Sequence, residues 1–478
     1  MNIRTVEDLI FSKFPFTPTE GQRILILALS DFLLNRRKYE VFLFKGYAGT
    51  GKTTLLSSFV KAAPQIGIKT VLLAPTGRAA KVLASYSGKQ ALTIHKKIYQ
   101  PRTSRDGSVL MHRIDNLHKN TIFIVDEASM IPGNNPANDG QFITRSDLLT
   151  DLIDYVHSGW RCSLMLIGDV AQLPPVGLDV SPAMDSQYLT TAYQLTTRKL
   201  ELTEVMRQSM DSGILVNATK LRLELQNQSY QLPIFNISDF TDIVWIEASQ
   251  LEDELMSAHS VSGDDNTIVI TRSNKRANIY NREIRNRILF RENEIAAGDY
   301  MMVVKNNYFW LPSDSKAGFI ANGDIFEVLK IIRIEDLYGF KFADAIIRLT
   351  DYPDEPELEI KLLMDTITSE SASLSYADSR RLFDEISQDY NDVSNSKRKA
   401  EKVKNNPYFN ALQVKFAYAL TCHKTQGGQW DTIFIDQPYL PNNKIDRAFL
   451  RWMYTAITRA TKKVYLVNFN ESFFEPSI

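Results

Sequence analysis

The run Glu40-Val41-Phe42-Leu43-Phe44-Lys45-Gly46-Tyr47-Ala48-Gly49-Thr50-Gly51-Lys52-Thr53-Thr54 decides how the rest of the chain is read. Val41 to Phe44 is short, apolar and rich in β-branched and aromatic residues, the pattern of a buried strand, and Gly46 to Thr53 fits G-x-x-x-x-G-K-[ST] at every position. Strand, glycine-rich loop and helix start in this order make a phosphate loop. Gly46, Gly49 and Gly51 let the backbone bend so that successive N–H groups face phosphate oxygens, and the helix starting near Lys52 adds its positive end. The expected nucleotide-binding set is therefore Gly46, Ala48, Gly49, Thr50, Gly51, Lys52, Thr53 and Thr54. Lys52 is expected to reach the β- and γ-phosphates, and Thr53 to hold Mg²⁺ through its hydroxyl.

At 478 residues the chain is too long for one ordinary core, which predicts two to four structural units. Lys+Arg 55 against Asp+Glu 56 leaves a net charge of -1, so any polyanion-binding surface has to be a local groove. Cys162 and Cys422 suggest neither a disulfide framework nor a zinc site, and a reducing cytoplasm is the natural compartment. The first residues, with Arg4, Glu7 and Asp8, do not read as a signal peptide, and the run Ile24 to Leu34 is too short and too interrupted to cross a bilayer. A protein without membrane association is expected.

Beyond the phosphate loop, helical and strand patterns alternate. Thr70 to Ala74, Thr121 to Val125 and Cys162 to Ile167 read as strands, with helices at Leu55 to Ala63 and Gly77 to Ser85. Alternation of this kind predicts a parallel sheet covered by helices, with chemistry at the strands' C-terminal ends. Asp106-Gly107, flanked by basic residues such as Arg102, Arg105 and Arg113, reads as the turn of a small hairpin, with a plain surface loop as the other reading. Thr267 to Thr271 starts a second strand-helix series, followed by a basic helix over Arg272 to Phe290. Met301 to Lys305, Asp324 to Ile334 and Ala345 to Leu349 suggest a small barrel, and Leu382, Phe383, Ile386 and Tyr390 a helical excursion within it. That excursion's basic end, around Arg398 and Lys399, fits either a nucleic-acid contact or a solvated face. Val414 to Leu420, Thr432 to Ile435 and Lys463 to Val467 read as further strands.

Hydrolysis needs a carboxylate site beside the phosphate loop. Asp126, ending the strand Thr121 to Val125, is placed to hold Mg²⁺, and Glu127 to polarise the attacking water. Gln172, in the segment Gly168 to Val176, has an amide suited to sensing a γ-phosphate. Arg207 and Arg459 are candidate arginine fingers. Gln22, after a helix cap at Thr19 or Thr17, carries the donor and acceptor edge that adenine needs, although on local grounds a solvent-facing glutamine is the better fit.

Taken in order, Gln22, the phosphate loop, Ala74 to Ala80, Thr93-Ile94-His95, Asp126 to Ser129, Gly168 to Val176, Leu202 to Gln208, Ala419 to Gly427 and Tyr454 to Ala460 resemble the motif series of superfamily 1 helicases. The resemblance is to the branch containing RecD and the phage Dda enzyme. It implies an α/β motor of two RecA-like P-loop domains with parallel sheets, using ATP and Mg²⁺ to move 5′ to 3′ along single-stranded DNA and open forked duplex DNA as a monomer. The implied division is 1–208 for the first domain, 209–321 with 410–478 for the second, and 322–409 for an SH3-like β-barrel insertion with its helical excursion. The hairpin at about 98–117 corresponds to a strand-splitting pin. By the same resemblance Lys52, Thr53, Asp126, Glu127, Gln172, Arg207 and Arg459 line the ATP site, with Gln22 on adenine and Gln426 and Gly427 near the cleft. Thr76, Arg78, Thr93 and His95 on one domain, with Thr421, His423 and Lys424 on the other, match strand-contacting positions. A protein-displacing translocase, an RNA-directed motor and a nucleotide-gated binding module remain as other readings, and Glu127 with Arg459 argues against the last.

Overall fold

The computed structural model describes residues 2–103, 109–133, 147–205, 211–312, 315, 319–352, 355–440 and 445–474. Its first sheet has six strands, all parallel, in the order Ala91–Thr93, Lys69–Ala74, Thr121–Val125, Ser163–Gly168, Glu40–Gly46, Thr196–Leu202. The central strands Thr121–Val125 and Ser163–Gly168 are buried at every position, which is why they read as unbroken apolar runs and not as alternating ones. Pairing of Lys45 with Gly168 sets the phosphate loop beside Asp169. The loop, Asp126 and Asp169 thus leave the same edge of the sheet, as a parallel sheet requires.

A second sheet of five parallel strands runs Ala419–Thr421, Thr267–Thr271, Trp430–Asp436, Ala460–Val467, Ile243–Ile246. Helix Arg447–Ile457 crosses between two of these strands and buries an almost continuous row from Phe449 to Ile457. This is the second RecA-like lobe. The expected basic helix Arg272 to Phe290 is shorter: Asn274–Glu283 is α-helical and Ile284–Ile288 continues with a wider turn. There Arg285 turns inward to pair with the buried Asp299 at 2.9 Å.

The barrel is closed by five strands, Tyr300–Val303, Ile325–Leu337, Phe340–Leu349, Leu358–Leu363 and Leu412–Phe416. The division expected at 322 and 409 therefore falls inside it, because its first and last strands lie outside those limits. The single strand expected over Val414 to Leu420 is in fact two. Phe416 pairs antiparallel with Met301 in the barrel, whereas Ala419 pairs parallel with Val269 in the second sheet, so one apolar run serves two sheets. The excursion forms helices Tyr376–Gln388 and Ser396–Lys404, which pack Leu382, Ile386 and Val403 onto Phe340, Phe342 and Leu363 of the barrel. The pin is an antiparallel pair, Tyr99–Thr103 with Val109–Arg113, while the Asp106-Gly107 turn lies outside the described residues. Its base is tied to the domain by the Tyr99 hydroxyl on Asp151 at 2.7 Å. Among the described residues no helix is long and apolar enough to cross a membrane.

The barrel rests on the first domain at the start of helix Gly77–Ser87. Lys81 donates to the Thr350 carbonyl at 2.8 Å and pairs with Asp351 at 3.3 Å. A Cβ on Gly77 would lie 2.4 Å from Asp324 Oδ1, and Asp324 is held by the Ala321 N–H at 2.7 Å. Gly77→Ala is therefore expected to lower the midpoint of thermal unfolding, at a cost of about 1–3 kcal/mol from overpacking. Asp324→Ala in the same chain should restore part of the loss in a calorimetric scan; equal losses with and without Asp324 would contradict this contact.

Candidate nucleotide site and strand groove

One cavity of about 320 Å³ lies between the two sheets. From the first domain it is lined by Ala48, Gly49, Gly51, Lys52, Thr53, Asp126, Glu127, Asp169 and Gln172, and from the second by Gln429, Thr458 and Arg459. Lys52 and Arg459 thus face one another across a shared crevice. Gly51, at a φ of 79°, opens helix Lys52–Ala62 without a side-chain cap, leaving the first-turn N–H groups directed at the loop's concavity. Lys52 Nζ donates to the carbonyls of Gly46 at 2.6 Å and Tyr47 at 3.0 Å and lies 3.9 Å from Asp169 Oδ2.

Asp126 receives the Tyr86 hydroxyl on one oxygen and the Glu127 N–H on the other at 2.9 Å. Burial, with the nearby Asp126, pushes the Tyr86 phenol far up, so it remains a donor. Glu127 sits in the left-handed region at a φ of 52°, its Oε2 buried without a hydrogen-bond partner. Burial raises its pKa above the ordinary carboxylate range, while Arg459 opposes that rise. A strained, buried carboxylate aimed into a nucleotide-sized cavity is suited to act as a general base. For Mg²⁺, Thr53 and Asp126 supply one hydroxyl and one carboxylate, the hard oxygen donors this ion takes when phosphates and waters complete its shell, so the residues fit it.

Arg459 is 4% exposed, and its guanidinium donates to the carbonyls of Thr455 at 3.1 Å and Gly428 at 3.3 Å and to the Thr458 hydroxyl. Gln172 lines the cavity with its Oε1 buried and unpartnered. Arg207 lies outside the described residues. Gln22 is only 1% exposed; its amide donates to the Thr50 carbonyl at 3.0 Å and its oxygen accepts the Thr19 N–H at 3.0 Å in a capping box. In this geometry Gln22 braces the phosphate loop. Gln426 likewise leaves the cavity: its Nε2 donates to the Leu173 carbonyl at 2.6 Å, clamping the two domains. Gly427, at a φ of 73°, passes so close to the first domain that a Cβ would lie 2.8 Å from that of Ala79.

Of the residues matched to the strand, Thr76 and Arg78 lie at this same seam. Thr76 and Thr93 cap helices Gly77–Ser87 and Ile94–Ile98 through their hydroxyls, and Thr421 precedes helix Cys422–Thr425 without a side-chain cap bond. Thr76 abuts Gly427, whose Cβ would stand 3.2 Å from its Oγ1. Desolvation lowers the His95 pKa to about 4, leaving a neutral ring. It lowers Lys424 to about 8, with Lys415 adding repulsion, and Lys424 Nζ is buried without a partner. Arg78 departs from expectation: its guanidinium stacks on Trp430 at 3.8 Å and donates to the Gln429 carbonyl at 2.9 Å, so it holds the second domain.

Several contributors were not singled out from the sequence. Asp169 ends a buried strand, as Asp126 does, so the signal was present. Tyr454 lies in the Tyr454 to Ala460 motif but reads as one more residue of an apolar stripe. Nothing local marks Tyr86 or Gln429.

Glu127→Gln is expected to lower kcat for ATP hydrolysis by about 10²–10⁴-fold. In the unaltered protein, hydrolysis should decline on acidification at a pH above the ordinary carboxylate range, because protonation of the raised Glu127 removes the base. A steady-state pH profile in which the Gln variant keeps the same acid limb would contradict the assignment.

Residues 27–229 match the AAA domain family, and residues 416–467 match the UvrD-like helicase C-terminal domain family. The chain is 26% identical to the ATP-dependent DNA helicase dda of Enterobacteria phage T4, over 94% of this chain and 99% of that protein. It is 29% identical to the ATP-dependent RecD2 DNA helicase of Deinococcus radiodurans, over 37% of this chain and 21% of that protein. A crystal structure of a Pif1 helicase from Bacteroides aligns with 97% of this chain and 95% of its own, at 16% identity and a TM-score of 0.48. With two RecA-like sheets, a closed barrel and a phosphate loop facing Arg459, the chain is similar to the ATP-dependent DNA helicases of superfamily 1, in the Dda- and RecD-like branch.

Proposed function

We propose that this protein couples ATP hydrolysis, with Mg²⁺ held by Thr53 and Asp126, to 5′ to 3′ movement along single-stranded DNA and to the opening of forked duplex. The observation that carries the reading is the shared cavity: groups that bind phosphate come from one lobe and the arginine finger from the other. Mg²⁺ screens phosphate charge when bound. Lys52 and the loop N–H groups hold the triphosphate, Glu127 takes a proton from the attacking water, and Arg459 meets the charge that develops on the γ-phosphoryl oxygens. Arg207 is assigned to the same site from its motif alone.

Strand contacts fall to the hydroxyls of Thr76, Thr93 and Thr421, the rings of His95 and His423, and the ammonium of Lys424, groups that read backbone and not sequence. Gly427 packs on Thr76 and Ala79, which links the two sets of contacts across the seam. Closing the seam on ATP and relaxing it after hydrolysis would alternate the grip of the two lobes, advancing the protein as a monomer. The pin, rooted on Asp151, would meet the duplex junction on this reading. Two buried free cysteines accord with work in a reducing cytoplasm.

The deciding measurement is unwinding of partial duplexes bearing either a 5′ or a 3′ single-stranded tail. Unwinding from the 5′ tail only, lost in Lys52→Ala while strand binding persists, is the expected result; ATP turnover without unwinding would favour a plain translocase. A second prediction follows from Lys424. Its ammonium loses its proton as pH rises through about 8, so strand affinity should weaken across that range, and Lys424→Arg should flatten the dependence in a fluorescence-anisotropy titration.

A further inference from the structure

Tyr454 belongs to the second domain, yet both hydrogen-bonding capacities of its hydroxyl are taken up by the first. Its Oη donates to Asp169 Oδ2 at 2.6 Å and accepts the N–H of Ala48, the third residue of the phosphate loop, at 2.9 Å. The directions are fixed, since the carboxylate only accepts and the N–H only donates. The side chain is 1% exposed, so water cannot stand in for it. Burial beside Asp169 drives the phenol's pKa well up, which keeps the proton on the oxygen.

Asp169 continues the connection. Its other oxygen accepts the Ala171 N–H at 2.9 Å, fixing the turn that carries Gln172, and Oδ2 lies 3.9 Å from Lys52 Nζ. The neighbouring Thr455 hydroxyl accepts the Leu173 N–H at 2.9 Å, so the same turn is held at a second point from the same helix. That helix, Arg447–Ile457, ends just before Arg459. Any displacement of the helix that moves the arginine must also pull on the phosphate loop and on the Asp169 turn.

We propose that Tyr454 is a positioning residue for hydrolysis, a hydroxyl relay that ties the placement of Arg459 to the geometry of the phosphate loop and of the Gln172 turn. It does not line the nucleotide cavity and acts through Ala48 and Asp169. The inference rests on the helicase reading above and adds to it a residue that transmits domain closure to the reacting end.

The test uses the full chain with Tyr454→Phe, which keeps the ring and deletes the hydroxyl, together with Asp169→Asn and the double variant. Single-strand-stimulated ATP turnover at saturating ATP should fall about tenfold in Tyr454→Phe, the loss of one hydrogen bond to a charged group. Affinity for a fluorescent ATP analogue and for the strand should stay within about threefold. The double variant should be no slower than the slower single one, because both substitutions cut the same link. A kcat within twofold of the parent, or losses that multiply in the double variant, would overturn the relay. A purely packing role would lower the unfolding midpoint without this split between kcat and affinity, and would also overturn it. Should Tyr454→Phe fail to fold, Asp169→Asn, nearly equal in volume, carries the same expectation. Absence of strand-stimulated turnover in the unmutated chain would instead overturn the helicase reading itself.

Discussion

A charged carboxylate that is 1% exposed has to be compensated, and Asp169 obtains its compensation from three separate stretches of chain. The Ala171 N–H comes from its own turn, the ammonium of Lys52 from the phosphate-loop helix, and the Tyr454 hydroxyl from the other lobe. Removing any one partner leaves a desolvated anion short of a donor, a penalty that protein interiors tolerate poorly. The two sheets are therefore brought together at one defined place. Once Asp169 is set, the turn after it is held by Thr455 and Gln426, and the cavity acquires its far wall.

Electrostatics inside that cavity favour an anion on the arginine side. Every hydrogen bond of Arg459 goes to a neutral carbonyl or hydroxyl oxygen, so its charge is oriented but not cancelled by an ion pair among the described residues. Glu127, on the opposite wall, feels that charge as a partial offset to its burial. Orientation by neutral dipoles costs no reorganisation when charge later develops nearby, which is the condition for electrostatic assistance.

The sequence was most legible where local geometry dictates residue type. A loop that must bend around phosphates demands its glycines, and strands covered on both faces demand unbroken apolar runs, so the phosphate loop, Thr121–Val125 and Ser163–Gly168 could be read directly. It was least legible where meaning depends on a distant partner. Arg78 looks like a strand contact until Trp430 and Gln429, some 350 positions away, are seen to hold it. Gln22 looks free until Thr50 folds beneath it. Val414 to Leu420 has the composition of one strand, and only pairing shows that it bends between a barrel and a sheet. Tyr454 hides for a related reason: on an apolar helix face a tyrosine's hydroxyl is invisible until its acceptor is known.

The groove assigned to the strand is less cationic than its motifs suggest, and that has a physical consequence. His95 is neutral, Lys424 is partly discharged by burial, and the charge of Arg78 is turned toward the domain seam. What remains are hydroxyls at or beside the N-termini of three helices, Gly77–Ser87, Ile94–Ile98 and Cys422–Thr425. Such contacts rest on dipoles and hydrogen bonds and release few counterions, so each one is weaker and less dependent on salt than a lysine or arginine pair. For a motor of the proposed kind, which would let go of a polyanion once per nucleotide turnover, modest contacts would be an advantage. A groove lined with fully charged side chains would hold both lobes to the backbone, and the limited free energy of closing one seam would have to break several ion pairs at once. On the proposed reading, strong charges at the nucleotide and weak contacts at the strand would let the first control the second.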